Sequence, residues 1–134
     1  MEAGSFGTVI NCMDGRIQAP ARRFLRDRFA VDHVDVITEA GPVRILAEGY
    51  PENAVGAIRA RLEISIEHHG SRKVAIIAHE DCAGNPVDRE VQMIQLERSL
   101  RIVRDWFPEL AVIGLWIRPV DGVWVPEEIA PSSS

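Results

Sequence analysis

The sequence predicts an α/β fold: a single domain over residues 1–134, built on a mainly parallel four-stranded sheet with helices on both faces. Short apolar segments alternate with amphipathic helical segments, as in β-α-β units with right-handed crossovers. The segment KVAIIA (73–78) is almost wholly apolar, which is typical of a central parallel strand covered on both sides. The pattern also allows, without requiring, an antiparallel strand at the sheet edge.

The first half of the chain reads as two strands separated and followed by helices. FGTVIN (6–11) predicts the first strand, and Pro20 opens a helix that continues to about Phe29. The second strand is predicted over 34–38. Gly41 and Pro42 then favour a turn, and a short helical turn over 43–48 follows.

The second half repeats this alternation. Apolar residues spaced by three and four predict a helix over 52–69, which Gly70 ends. After the strand at 73–78, a long amphipathic helix is predicted over 88–106, with a fourth strand at 111–117 and an edge strand at 122–125. The residues expected to face inward from the long helix are Val91, Ile94, Leu100 and Val103. Ser132, Ser133 and Ser134 are expected to fray.

Composition excludes several classes of function. The 134 residues are 46% hydrophobic and 26% charged, as in a globular protein, and the net charge is −5. This charge, without a basic cluster, argues against nucleic-acid binding. No apolar segment is long enough to span a bilayer, and no signal pattern opens the chain, so we expect no membrane association and a cytoplasmic location.

Three potential metal ligands follow two strands of the predicted sheet. Cys12 comes after the first strand, and His79 and Cys82 come after the third. The carboxyl ends of parallel strands share one edge, so these distant residues are expected to meet there. Two thiolates and one imidazole suit zinc, and three protein ligands leave the fourth tetrahedral position for water or substrate.

Asp14 and Arg16 lie next to the first of these ligands. An arginine can donate two parallel hydrogen bonds to a carboxylate, so the two residues are expected to form a fixed pair. A carboxylate held in this way can accept a hydrogen bond from a metal-bound water and orient it for attack.

These motifs resemble those of beta-class carbonic anhydrases. CMDGR (12–16) is similar to the family's C-x-D-x-R element, and HEDC (79–82) is similar to its H-x-x-C element, again after an apolar strand. The resemblance implies zinc bound by Cys12, His79 and Cys82, and a catalytic dyad of Asp14 and Arg16. It also implies a homodimer or tetramer that catalyses reversible hydration of carbon dioxide to bicarbonate, with zinc hydroxide as the nucleophile.

The sequence departs from the family pattern in two loops. Thr38-Glu39-Ala40-Gly41 replaces a common R-N-A-G segment, and Ala83 separates the last ligand from the glycine that usually follows it directly. Both changes alter the surroundings of the site and retain every ligand and dyad residue. The family also implies a regulated form in which the aspartate leaves its arginine and fills the fourth zinc position.

Three other functions remain open. The same site could hydrolyse carbonyl sulfide or carbon disulfide, or it could be a non-catalytic structural zinc site closed by Asp14. A thiol redox protein, in which Cys12 and Cys82 form a reversible disulfide, is disfavoured because the cysteines lack C-x-x-C spacing.

Several other polar residues have no predicted role. His33, His68 and His69 lack partners at ligand spacing, and a loop acid such as Glu80 or Asp81 is most often solvated. Glu39 either faces the pocket or pairs with a nearby arginine such as Arg44.

Overall fold

A five-stranded sheet lies at the centre of the chain, with helices on both faces. The computed structural model describes residues 4–130. In chain order the elements are β1 (Phe6–Cys12), α1 (Gln18–Phe29), β2 (His33–Glu39), α2 (Pro42–Glu48), α3 (Glu52–His69), β3 (Lys73–His79), α4 (Arg89–Trp106), β4 (Ala111–Val120) and β5 (Val123–Ile129). The strand order is β2-β1-β3-β4-β5. The first four strands are parallel, and β5 pairs antiparallel with β4.

Two apolar layers cover the sheet. Helices α2, α3 and α4 pack on one face through residues such as Leu46, Leu62 and Leu100. On the other face α1 packs through Leu25 and Ala21 against the opposite side chains of β1, β3 and β4. Since β3 is covered on both sides, its near-continuous apolar sequence is explained by burial on both faces.

The predicted α/β class and mainly parallel sheet are confirmed, whereas the strand count is corrected from four to five. The antiparallel edge strand exists and extends to Ile129, four residues beyond its predicted end. It continues through Pro126, which pairs with Ile117. A strand at the sheet edge tolerates proline because its outward side needs no backbone donor. The expectation of fraying at 132–134 lies outside the described residues.

The inward face predicted for α4 is partly wrong. Leu100 and Val103 are buried, but Val91 and Ile94 are 40% and 53% exposed. The buried face instead includes Gln92, Leu96 and Ser99. Gln92 donates to the carbonyl of His79 at 2.8 Å, and Ser99 donates to the carbonyl of Val43 at 3.1 Å. Hydrogen bonding therefore allows two polar residues to take the core face.

Within residues 4–130, no helix is both long enough and apolar enough to cross a membrane.

Candidate metal centre

The three predicted ligands lie together at the carboxyl edge of the sheet. Cys12 is the last residue of β1, His79 is the last of β3, and Cys82 lies in the loop after β3. All three are buried, and their ligand atoms lie within 4.8 Å of one another. The two sulfurs are 3.7 Å apart, and both cysteines are free. Parallel pairing of adjacent strands thus brings together residues that are up to 70 positions apart in the chain.

One ring nitrogen of His79 is free to bind a metal ion. Its Nδ1 lies 2.8 Å from the carbonyl oxygen of Glu80. A carbonyl only accepts, so Nδ1 carries the proton and Nε2 is the nitrogen with a free lone pair. Nε2 is buried and has no hydrogen-bond partner within the described part of the chain. A buried polar atom of this kind needs an explanation, and an ion is one of the usual ones.

The two thiols do not ionise alike. A hydrogen bond from the Cys82 thiol lowers the pKa of Cys12 to about 4 against the opposing effect of burial, and the amide of Gly41 adds to the lowering. The Cys12 sulfur, together with burial, raises the pKa of Cys82. Burial acts to lower the pKa of His79, but the Cys12 sulfur and the Glu80 carbonyl outweigh it and raise that pKa. Without a metal, the Cys82 sulfur therefore holds its proton more strongly than the Cys12 sulfur does.

The donor set fits zinc. Two cysteine sulfurs and one histidine nitrogen are a recurrent zinc-ligand combination, and the carbonyl that accepts from Nδ1 orients the ring as in many metal-binding histidines. The free lone pair of Nε2 beside the two sulfurs supplies the third donor.

Two glutamine amides hold the loops and strand ends around this site. Gln18, in the first turn of α1, donates from Nε2 to the carbonyl oxygens of both Cys12 and Asp14 at 2.7 Å. Gln92 acts on the other side through the carbonyl of His79. Sequence patterns gave no indication of either contact, because a glutamine near a helix start is common and carries no specific signal.

Asp14 and Arg16 form the predicted pair. Arg16 donates to Oδ1 of Asp14 from its backbone amide at 2.9 Å and from Nε at 3.0 Å, and its Nη2 donates to Oδ2 at 2.7 Å. These hydrogen bonds from Arg16 lower the pKa of Asp14 to about 2, against a smaller effect of burial. Asp14 is thus an ionised carboxylate next to the three-residue cluster.

A family model described as "Putative carbonic anhydrase" matches residues 2–130. The chain belongs to the beta-class carbonic anhydrase family. No curated protein sequence matches the chain.

Solved beta-carbonic anhydrases share the fold. Isoform I from Trichomonas vaginalis is 20% identical, with a TM-score of 0.57, and the match covers 94% of this chain and 85% of that one. One of two tetrameric beta-carbonic anhydrases from Sordaria macrospora is 11% identical, with a TM-score of 0.63, and the match covers 100% of this chain and 84% of that one. The enzyme of Aspergillus fumigatus is 14% identical with a TM-score of 0.60, covering 95% and 76%. At these identities the likeness shows the fold alone.

The departure from the usual beta-carbonic-anhydrase loop places Glu39 in an ion pair. Its Oε2 lies 2.6 Å from Nη2 of Arg61 on α3. Arg44, the arginine considered from the sequence, instead pairs with Glu48 at 3.1 Å. The carboxylate of Glu39, the last residue of β2, therefore pairs with an arginine of α3 and is not left as a free negative charge.

Three of the other histidines and loop acids considered from the sequence have partners of their own. His69 contacts Asp35 through Nδ1 at 2.6 Å, and the ring of His33 packs against Phe6, both away from the three ligands. Asp81 is solvated as expected, with its side chain 79% exposed, and its carboxylate also contacts Arg16 at 3.3 Å. Its position between two ligands was the one available signal, and spacing alone did not distinguish it from Glu80.

Proposed function

We propose that this chain is a zinc enzyme that catalyses the reversible hydration of carbon dioxide to bicarbonate. Cys12, His79 and Cys82 would hold the metal. The observation that carries the proposal is the buried, unpartnered Nε2 of His79 beside two cysteine sulfurs 3.7 Å apart. Membership of the beta-class carbonic anhydrase family supports the reaction.

The metal and the protein would supply different parts of the chemistry. Zinc supplies Lewis acidity, which makes a water molecule acidic enough to be deprotonated near neutral pH. The protein supplies a site for that ion in which Cys12 is already a thiolate and the His79 ring is fixed by its bond to Glu80. The positions of the three side chains would therefore change little on metal binding, and the Cys82 thiol, whose pKa is raised, would lose its proton.

Asp14 is suited to orient the attacking water. Arg16 makes four hydrogen bonds to its carboxylate, two on each oxygen, and the longest is the 3.3 Å bond from Nε, which Oδ2 shares with Oδ1. A water would bind at Oδ2 in place of this long, shared bond. The low pKa keeps the group ionised, so that it accepts and does not donate. We assign Asp14 the role of hydrogen-bond acceptor for the nucleophilic water, and Arg16 the role of holding Asp14 in place.

The same contacts favour catalysis over a purely structural zinc site. A structural site closed by Asp14 requires that carboxylate to leave Arg16, and here both of its oxygens are bound by Arg16.

We also propose a homodimer or tetramer, which light scattering of the purified chain would test. A cytoplasmic location remains a prediction from the sequence.

Metal analysis combined with a stopped-flow hydration assay tests the function. We expect about one zinc per chain and bicarbonate formation that is lost in Cys82→Ala, whose metal content falls. Asp14→Asn should keep the metal and lose about ten- to a hundredfold in rate. One zinc per chain without hydration at any pH would contradict the proposal. Sulfide release from carbonyl sulfide or carbon disulfide in its place would reassign the substrate.

A further inference from the structure

The outer side of the Arg16 guanidinium is bound by two residues that the proposed function does not use. Nη1 lies 3.3 Å from Oδ2 of Asp81, and Nη2 donates to the backbone carbonyl of Asp81 at 3.1 Å. The guanidinium carbon lies 4.5 Å from the centre of the Trp124 ring, within the range of a cation–π contact. Arg16 is therefore held on Asp14 from one side and by Asp81 and Trp124 from the others.

Trp124 reaches the site only because β5 turns back along β4. The chain reverses at Asp121 and Gly122, both with positive φ, and Trp124 then pairs with Pro119. The tryptophan packs against the apolar layer that contains Cys12 and Cys82. Its ring also lies 6.5 Å from that of His79 in an edge-on arrangement. The antiparallel edge strand thus supplies one wall of the site.

Asp81 connects the ligand loop to the same arginine. It lies between His79 and Cys82 and has a φ of 58°, which is uncommon for a residue other than glycine. With this backbone conformation, both its carbonyl and its carboxylate contact Arg16. The loop that carries two of the three ligands is therefore linked to the arginine of the dyad.

These contacts matter because the Asp14–Arg16 pair is not secured by burial. The side chain of Arg16 is 44% exposed, and an exposed ion pair on a flexible side chain contributes little by itself. The Trp124 ring and the backbone carbonyl of Asp81 limit the rotamers that the arginine can adopt, and the Asp81 carboxylate, whose side chain is 79% exposed, contributes the smaller part. The hydrogen bonds from the Arg16 guanidinium to Asp14 then form at a smaller cost in side-chain entropy.

We propose that Trp124 and Asp81 are positioning residues that keep Arg16 bound to Asp14 and so keep the Asp14 carboxylate away from the fourth metal position. The proposal rests on the proposed function for its consequence in catalysis. The restraint on the Arg16 side chain is independent of the proposed function.

Hydrogen exchange of the Arg16 Nε–H, followed by NMR in the zinc-loaded full chain, tests the positioning directly. Arg16→Lys assigns the resonance. We expect exchange to be roughly two- to fivefold faster in Trp124→Leu and roughly twofold faster in Asp81→Asn. Asparagine tolerates positive φ, so the second variant keeps the loop conformation.

Two matched controls are present in the chain. Asp121 also has a positive φ, 51°, so Asp121→Asn repeats the chemical change without a contact to Arg16. Trp106 also has an arginine over its ring, with the guanidinium carbon of Arg59 at 5.4 Å, so Trp106→Leu repeats the loss of a ring. Both controls should leave the Arg16 exchange rate unchanged.

The hydration assay adds the catalytic consequence. Per bound zinc, kcat should fall by roughly two- to fivefold in Trp124→Leu, with KM unchanged, because fewer molecules have Asp14 in place. Arg16 exchange equal to that of the two controls in both site variants overturns the proposal. If the zinc-loaded parent chain does not hydrate carbon dioxide, the proposed function fails, while the exchange rates still decide whether Trp124 and Asp81 hold Arg16.

Discussion

Gly84 lies against the backbone of Ala40. A Cβ atom placed on Gly84 would be 2.6 Å from the carbonyl carbon of Ala40 and 2.9 Å from its oxygen. Gly41, which follows Ala40, has a φ of 69°, and a Cβ there would lie 2.9 Å from the carbonyl oxygen of Gly84. The loops after β2 and β3 therefore meet backbone to backbone next to Cys82, the third candidate ligand.

Substitution of Gly84 tests this contact. In Gly84→Ala the backbone has to shift, so we expect a loss of about 1–3 kcal/mol in the free energy of unfolding and a zinc affinity at least about tenfold lower. Urea unfolding and competition with a chelator measure the two quantities. Gly56→Ala is the control, because its Cβ meets nothing within 4 Å, and a helical alanine should add about 0.5–1 kcal/mol. Equal stability of the two variants would contradict this packing argument.

The opposite pKa shifts of Cys12 and Cys82 predict one thiolate in the metal-free protein at mildly acidic pH. Cys12, with its pKa lowered to about 4, should stay ionised down to about pH 5, whereas Cys82, with a raised pKa, should stay protonated at neutral pH. Ultraviolet thiolate absorbance should therefore show about one thiolate per chain at pH 6. Cys82→Ala removes the main donor to the Cys12 sulfur and should raise the pKa of Cys12. Absence of any thiolate below about pH 7 in the parent chain would refute this arrangement.

The amide of Gln18 should strengthen metal binding without touching the metal. Gln18→Met keeps the approximate shape of the side chain but removes the donor to the carbonyls of Cys12 and Asp14. We expect zinc affinity to fall by roughly tenfold, as for other residues that orient ligands. An unchanged affinity in Gln18→Met would show that backbone hydrogen bonds hold the loop without it.

The pair of Asp14 and Arg16 predicts a specific loss of stability in acid. The folded-state pKa of Asp14, about 2, lies below the ordinary value of 3.8. Its contribution to stability is therefore present above about pH 4 and is lost as the pH falls toward 2. In the metal-free protein, Asp14→Asn should be less stable than the parent at about pH 5, and the difference should shrink at about pH 2.5.

Urea unfolding at the two pH values measures this difference. Asp27→Asn serves as the control, because Asp27 is exposed and its distance to Arg26 is 3.9 Å. A stability difference in Asp14→Asn that is independent of pH would rule out the ionised pair as its cause.

Much of the fold was encoded locally. The bounds of α3 match the prediction, because apolar residues at helical spacing and a terminal glycine are signals within one segment. The grouping of Cys12, His79 and Cys82 was predictable for a related reason. The carboxyl ends of parallel strands share an edge, so the alternation of strands and helices was enough to bring Cys12 near His79 and Cys82.

Other features depended on which elements meet in space. The buried face of α4 includes Gln92 and Ser99, whose partners are backbone carbonyls of β3 and α2, and polarity along the sequence pointed to a different face. Glu39 pairs with Arg61 and not with Arg44. Arg16 contacts Asp81 because of the loop conformation after β3, and it contacts Trp124 because β5 runs back along β4. Sequence by itself determined the alternation of strands and helices, the order of these elements and the three candidate ligands. Only the tertiary structure decided what holds Arg16 and what α4 buries, because hydrogen bonds and ring contacts between distant segments depend on register and relative orientation, which periodicity within a segment does not specify.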